Sequence, residues 1–441
     1  MNGISDLATL CKAPARVGRS GLLALYLAFV TACSAPASED ASPSGADSAG
    51  RYRMHYSLDI DPAARAVDVT LTVRQGRSLL REMRFDAPSE RILDLEGDGE
   101  IDIVDGRASW RVPERGGTLK WRVGVPSRRR DGGYDAFLGD SWGIFRAEDT
   151  IPRAATRTLK GAESDTTFEF VLPAGWSAVT EYPEQNGRYA VERPGRRFAQ
   201  PAGWIAVGEL GVRREIVEGT RLVVAAPVGQ SVRRMDMLAL TNWVLPELAR
   251  LLPELPERIT IVSAGEPMWR GGLSGPQSLY LHADLPLISE NATSTLVHEL
   301  MHVSLRMGSE PGHDWIVEGL AEYYGLELLR RSGSISQRRF ERSLASLGEW
   351  SDDAGALCAP ASTGATTALA VTILHALDQE IRTESGAEAD LDDVLNHLIA
   401  ADRPLDLRLL TDSSRTVLGQ IPDALHSRHL PGCPTLANAR P

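Results

Sequence analysis

The stretch His298-Glu299-Leu300-Met301-His302 constrains this chain more than any other. Histidines four apart on a helix are turned by about 400°, so their rings stand about 40° apart on one face, one turn above each other. Both can then bind a single tetrahedral metal ion, with Glu299 beside them placed to take a proton from a water on that ion. The flanking sequence favours a helix. Asn291 to Arg306 opens with Asn, Thr and Ser, residue types that cap helix N-termini. On a helical wheel Leu296, Val297, Leu300, Met301 and Ser304 fill an arc of about 140° suited to a core, while His298, Glu299 and His302 fill a separate arc of about 100°. Two imidazoles and a carboxylate on one buried face need a metal or a dense hydrogen-bond network to satisfy them.

A third ligand is available downstream. After the His313-Asp314 turn, Trp315-Ile316-Val317-Glu318-Gly319-Leu320-Ala321-Glu322-Tyr323-Tyr324 reads as a second helix. H-E-x-x-H followed by W-x-x-E-G-x-A-x-Y resembles the gluzincin metallopeptidases, specifically the aminopeptidase N and glycyl aminopeptidase families. The resemblance implies a thermolysin-like catalytic domain, one Zn²⁺ ion and Glu318 as its third ligand. Glu322 lies one turn on, on the same side. It matches the place where such enzymes put a carboxylate that orients a ligand histidine.

The chain departs from that family in three ways. Fifteen residues separate His302 from Glu318, a shorter connection than the aminopeptidase N pattern has. The family's Gly-x-Met-Glu-Asn, whose glutamate grips the substrate's free amino group, is replaced by Arg270-Gly271-Gly272-Leu273-Ser274-Gly275-Pro276-Gln277, with no acidic residue. Gly271 and Gly272 suit either an edge strand where a peptide backbone approaches closely or a flexible turn before a strand. The family's oxyanion-stabilising tyrosine is also missing, since no tyrosine follows Tyr324. His375, His313, His282 and Tyr280 are the candidate substitutes.

The N-terminus gives an address. Lys12, Arg16 and Arg19 precede the apolar run Leu22 to Val30, which is too short for the roughly 20 residues of a spanning helix. That order reads as a secretory signal, residues 1–32. Val30-Thr31-Ala32-Cys33 resembles the bacterial lipobox, which implies lipidation at Cys33 after cleavage. Ser34 follows in place of a retaining aspartate. In a Gram-negative cell this favours an outer-membrane anchor facing the periplasm. Residues 33–50, rich in Ser, Ala, Pro and Asp, read as a disordered tether. Cys358 and Cys433 remain in the folded body, either paired in an oxidising compartment or as two buried thiols.

The rest of the chain, roughly 390 residues, exceeds one typical core, so two domains are expected. Residues 51–217 read as strands: Tyr52, Met54, Tyr56, Leu58 and Ile60 alternate with polar residues, and Asp61-Pro62 turns the chain. Arg128-Arg129-Arg130, followed by Asp131-Gly132-Gly133, reads as an exposed loop. Helical periodicity dominates residues 218–441, with a strand at Arg258 to Val262. The expected class is α+β: an antiparallel β-sandwich or saddle followed by a mainly helical catalytic domain. A formal charge of −12 argues against nucleic acid as a partner. The expected function is zinc-dependent hydrolysis of peptide or protein substrates, with Glu299 as general base. The alternatives are a zinc-containing peptide-binding module and an envelope structural protein.

Overall fold

The computed structural model describes residues 50–191 and 196–434. The signal segment, Cys33 and the tether up to residue 49 lie outside the described residues. Strand alternation organises the first half. Arg51–Asp61 buries Tyr52, Met54, Tyr56, Leu58 and Ile60 and turns the intervening side chains outward, because successive side chains of a strand point to opposite faces. A turn in which the Ala64 N–H donates to Asp61 Oδ1 leads into the antiparallel neighbour Ala66–Arg74. On its other side Arg51–Asp61 pairs in parallel with Glu163–Val171. The seven-stranded sheet is therefore mixed, not wholly antiparallel as the sequence suggested. Parallel neighbours require a crossover connection, and here the crossover itself contributes strands.

Four of those strands form a second sheet, in the order Ala154–Thr158, Leu80–Asp86, Arg107–Arg111, Glu100–Val104. Met83, Phe85 and Trp110 of this sheet share a core with Tyr56, Leu71 and Trp121 of the first. A third sheet includes Trp204–Gly208, Trp142–Arg146 and Tyr134–Leu138. Its Trp142, Ile144 and Trp204 pack on Val262, Met268 and Tyr280 of the following region.

The second half is built on a fourth sheet, ordered Leu210–Val217, Thr220–Pro227, Arg258–Ala264, Ser278–His282, Gly272–Gly275. The helix Arg234–Leu251 joins the parallel pair Thr220–Pro227 and Arg258–Ala264. Leu210–Val217 precedes the expected boundary at 217 but pairs along its length with Thr220–Pro227, so it belongs to this sheet. Gly272–Gly275 stands last in the order and leaves one edge open. Among the described residues six α-helices follow, at Thr295–Leu305, Asp314–Arg331, Gln337–Ser351, Ala365–Glu384, Leu391–Ala400 and Leu407–Leu418. Leu296, Leu300 and Met301 meet Trp315, Ile316 and Leu320 in their core. Gly319 is required there, since a Cβ on it would lie 2.8 Å from Ala370 Cβ. Cys358 and Cys433 form a disulfide that ties the loop after Gln337–Ser351 to the C-terminal segment. The protein is thus a mixed α+β chain with several antiparallel pairings in its first part and helices in its last. Among the described residues, no helix is long and apolar enough to cross a membrane.

Candidate metal centre

The metal helix, Thr295–Leu305, begins where Ser294 Oγ accepts the Val297 N–H. It starts four residues later than Asn291, because Asn291 to Thr293 are held in a turn, with the Ala292 N–H on Ser289 O and Ala292 in the left-handed region. Arg306, also left-handed, ends it by donating its N–H to His302 O. The glutamate helix, Asp314–Arg331, is anchored near its far end. There Arg331 pairs with Asp392 at 2.7 Å and Glu327 at 3.2 Å, and Tyr324 donates its hydroxyl to Asp392.

The two helices bring three donor side chains together. His298 Nε2 and His302 Nε2 stand 3.1 Å apart, and Glu318 reaches them at 3.3 and 3.5 Å. Ligands about 2.0–2.1 Å from one tetrahedral ion stand about 3.3 Å from each other. The donor set and its spacing therefore fit a zinc ion, and among the described residues this is the one such cluster of His, Cys, Asp and Glu. Glu322 Oε2 lies 2.9 Å from His298 Nδ1. A carboxylate there holds the proton on Nδ1 and leaves the Nε2 lone pair facing the cluster.

Electrostatics point the same way. Burial lowers the His298 pKa, but bonds to Glu318 and Glu322 and the nearby Glu322 and Glu299 charges outweigh it, pushing the ring up to about 10. Burial raises Glu318, yet its bonds to both histidines hold it at about 2. The cluster favours positive charge strongly. Glu299 is buried and its pKa is raised, chiefly by desolvation, against the opposing pull of His298 and His302.

The open-edged strand Gly272–Gly275 runs beside Glu299. Ser274 lies close enough to Glu299 to work against the rise in its pKa, a proximity that no local sequence pattern announces. A Cβ on Gly272 would fall 2.5 Å from Thr295 Cγ2 and 2.9 Å from Glu299 Cγ, so only glycine lets strand and metal helix approach this closely. Gly271 lies against the Trp269 ring, not against Glu299. The β region holds this strand and its neighbour: Trp204 Nε1 donates to Leu273 O, and the Trp204 N–H donates to Ser278 Oγ of Ser278–His282, both at 2.9 Å. Arg129 is not part of an exposed loop. Its guanidinium lies 3.7 Å over the Trp269 ring, while Arg128 and Arg130 are exposed.

Of the four candidate oxyanion donors, Tyr280 and one nitrogen of His282 have partners, while His282 Nε2, His313 Nδ1 and His375 Nδ1 are buried without a hydrogen-bond partner. The Tyr280 hydroxyl donates to Trp269 O, and His282 Nδ1 accepts the Asp284 N–H. His375 lies near the Tyr323 and Phe340 rings, and His313 stands at the N-cap position of the glutamate helix without a side-chain capping bond.

No family model and no curated protein matches the sequence. Among solved structures the chain is similar to an aminopeptidase N family protein from Idiomarina loihiensis, with a TM-score of 0.62 and 17% identity over 86% of this chain and 74% of that one. It is also similar to the M1 zinc metallopeptidase of Deinococcus radiodurans, with a TM-score of 0.56 and 17% identity over 88% of this chain and 95% of that one. A point mutant of the same metallopeptidase gives a TM-score of 0.56 at 16% identity. The fold is that of the M1 zinc metallopeptidases. Within that fold the helix pair carrying His298, His302 and Glu318 has a donor set suited to zinc.

Proposed function

We propose that this protein is a zinc-dependent peptidase in which His298, His302 and Glu318 hold the ion. The observation that carries this reading is the convergence of those three donors, with a buried carboxylate, Glu299, next to His298 on the first of the two helices. Zinc bound there would supply Lewis acidity, polarising a carbonyl oxygen and acidifying water. The chain's own residues do the rest. Gly272–Gly275 offers a strand edge along which a peptide backbone can lie. Glu299, with its raised pKa, takes a proton from the attacking water and passes it to the leaving amine. Glu322 fixes the His298 ring. The test is incubation of purified, zinc-loaded protein with a diverse peptide library, with and without chelator. Chelator-sensitive cleavage supports the peptidase, and peptides retained without cleavage favour the binding module, a reading motivated by the absent amine-binding glutamate and oxyanion tyrosine.

The envelope address rests on sequence. Lys12 to Val30 followed by Cys33 supports a lipid anchor, with the body held on the periplasmic side of the outer membrane by the tether. Loss of fatty-acid labelling in Cys33→Ser tests it, and labelling that persists there refutes it.

A further inference from the structure

Resting on the peptidase reading, we propose that the site cleaves internal bonds of an extended polypeptide, as an endopeptidase, and does not read a chain terminus. His282 donates its N–H to Gly271 O, and Gly272 and Leu281 are opposite neighbours in the ladder. Ladder bonds alternate along an antiparallel pair, so Gly272 and Ser274 turn their N–H and C=O groups to the open edge. Both residues flank Glu299, and a peptide added there as a strand is held by main-chain bonds on either side of the scissile position.

Recognition of a terminus needs a charge. A free α-ammonium taken from water requires a carboxylate partner. The carboxylates at this centre are taken: Glu318 bonds both histidines, Glu322 bonds His298, and Glu299 is buried beside them. Gly272-Leu273-Ser274-Gly275 adds none. Space argues the same way. A cleft of about 1580 Å³ begins at His302 and Ser274, passes Gln277 and Arg258, and is walled on the β side by Thr166, Tyr182 and Glu181, whose side chain is buried and already partnered. That exceeds the roughly 300–1,000 Å³ suited to a compact small ligand. The chain of a substrate continues into it past the centre.

Two versions of one twelve-residue peptide, one free at both ends and one N-acetylated and C-amidated, are incubated with the full chain carrying one zinc per molecule. Products are read by mass spectrometry. Internal cuts in both, with kcat/KM within about threefold, are the expected result. Stepwise release of single residues from the free peptide, with the blocked one at least a hundredfold slower, overturns the endopeptidase inference and leaves the peptidase reading standing. Cleavage of neither peptide, nor of any member of the diverse library, overturns both.

Discussion

Glu322 Oε2 stands 2.9 Å from His298 Nδ1, so the glutamate helix supplies both a donor to the cluster and the carboxylate that orients a second donor. Replacing Glu322 by alanine frees that ring without touching Glu318. Zinc affinity should fall about 10- to 100-fold, as measured by competition with a chelator. An unchanged affinity would remove Glu322 from the metal-holding set.

Glu299→Gln keeps the shape of the side chain and removes its ability to accept a proton. Zinc content should stay at one ion per chain while peptide hydrolysis drops by about 100- to 10,000-fold. The buried carboxyl is poorly solvated, so the melting temperature should not fall. Hydrolysis that survives the substitution excludes Glu299 as the base.

The charges of the cluster fix a pH dependence. In metal-free protein His298 is raised from 6.5 to about 10, so its contribution to stability is complete below 6.5 and is lost as pH rises through about 10. Glu318 is lowered from 4.5 to about 2, so its contribution is complete above 4.5 and is lost as pH falls through about 2. Both are fully present between pH 4.5 and 6.5. Zinc must displace the imidazole proton, so its affinity should climb about tenfold per pH unit for one proton released. Zinc competition at pH 6, 7 and 8 measures the slope, and a flat profile contradicts it.

Gly272→Ala places a methyl group against Thr295 and Glu299. Overpacking of this kind costs about 1–3 kcal/mol, and here the strain falls on the proposed base. We expect lower kcat with zinc retained, whereas Gly271→Ala should strain the Trp269 ring instead. Equal kinetics for Gly272→Ala and the parent would show that the strand does not constrain Glu299.

Cys358 and Cys433 are 75 residues apart in sequence. Closing a loop of that size is worth about 4 kcal/mol in the chain-entropy model. Denaturant unfolding of the Cys358→Ser, Cys433→Ser double variant should show a loss approaching that value. No change in midpoint would mean the bridge contributes little.

What could be read from the sequence follows the range of the interactions involved. His298, Glu299 and His302 are legible because a helix repeats every 3.6 residues, and one turn of chemistry fits in five letters. Glu318 and Glu322 needed a second helix recognised by its motif, since nothing local says that it packs on the first. The buried stripe of Arg51–Asp61 was equally plain from alternation, but its parallel neighbour Glu163–Val171 was not, because pairing partners a hundred residues apart leave no periodic trace. Ser274 escaped for the same reason: a serine in a glycine-rich stretch carries no sign of the carboxylate it will meet. The left-handed Ala292 shortened the metal helix at its start, where alanine gives no warning of a break.

The indole of Trp204 binds Leu273 O, and this makes the β region a mechanical partner of the centre. A truncated variant beginning near Leu210 would keep every metal donor and still lose the clamp on the strand beside Glu299. Such a fragment should load zinc yet hold its substrate groove in no fixed register. The two halves are therefore one machine, joined at this strand by an indole nitrogen and beside it by the packing of Trp142, Ile144 and Trp204 on Val262, Met268 and Tyr280.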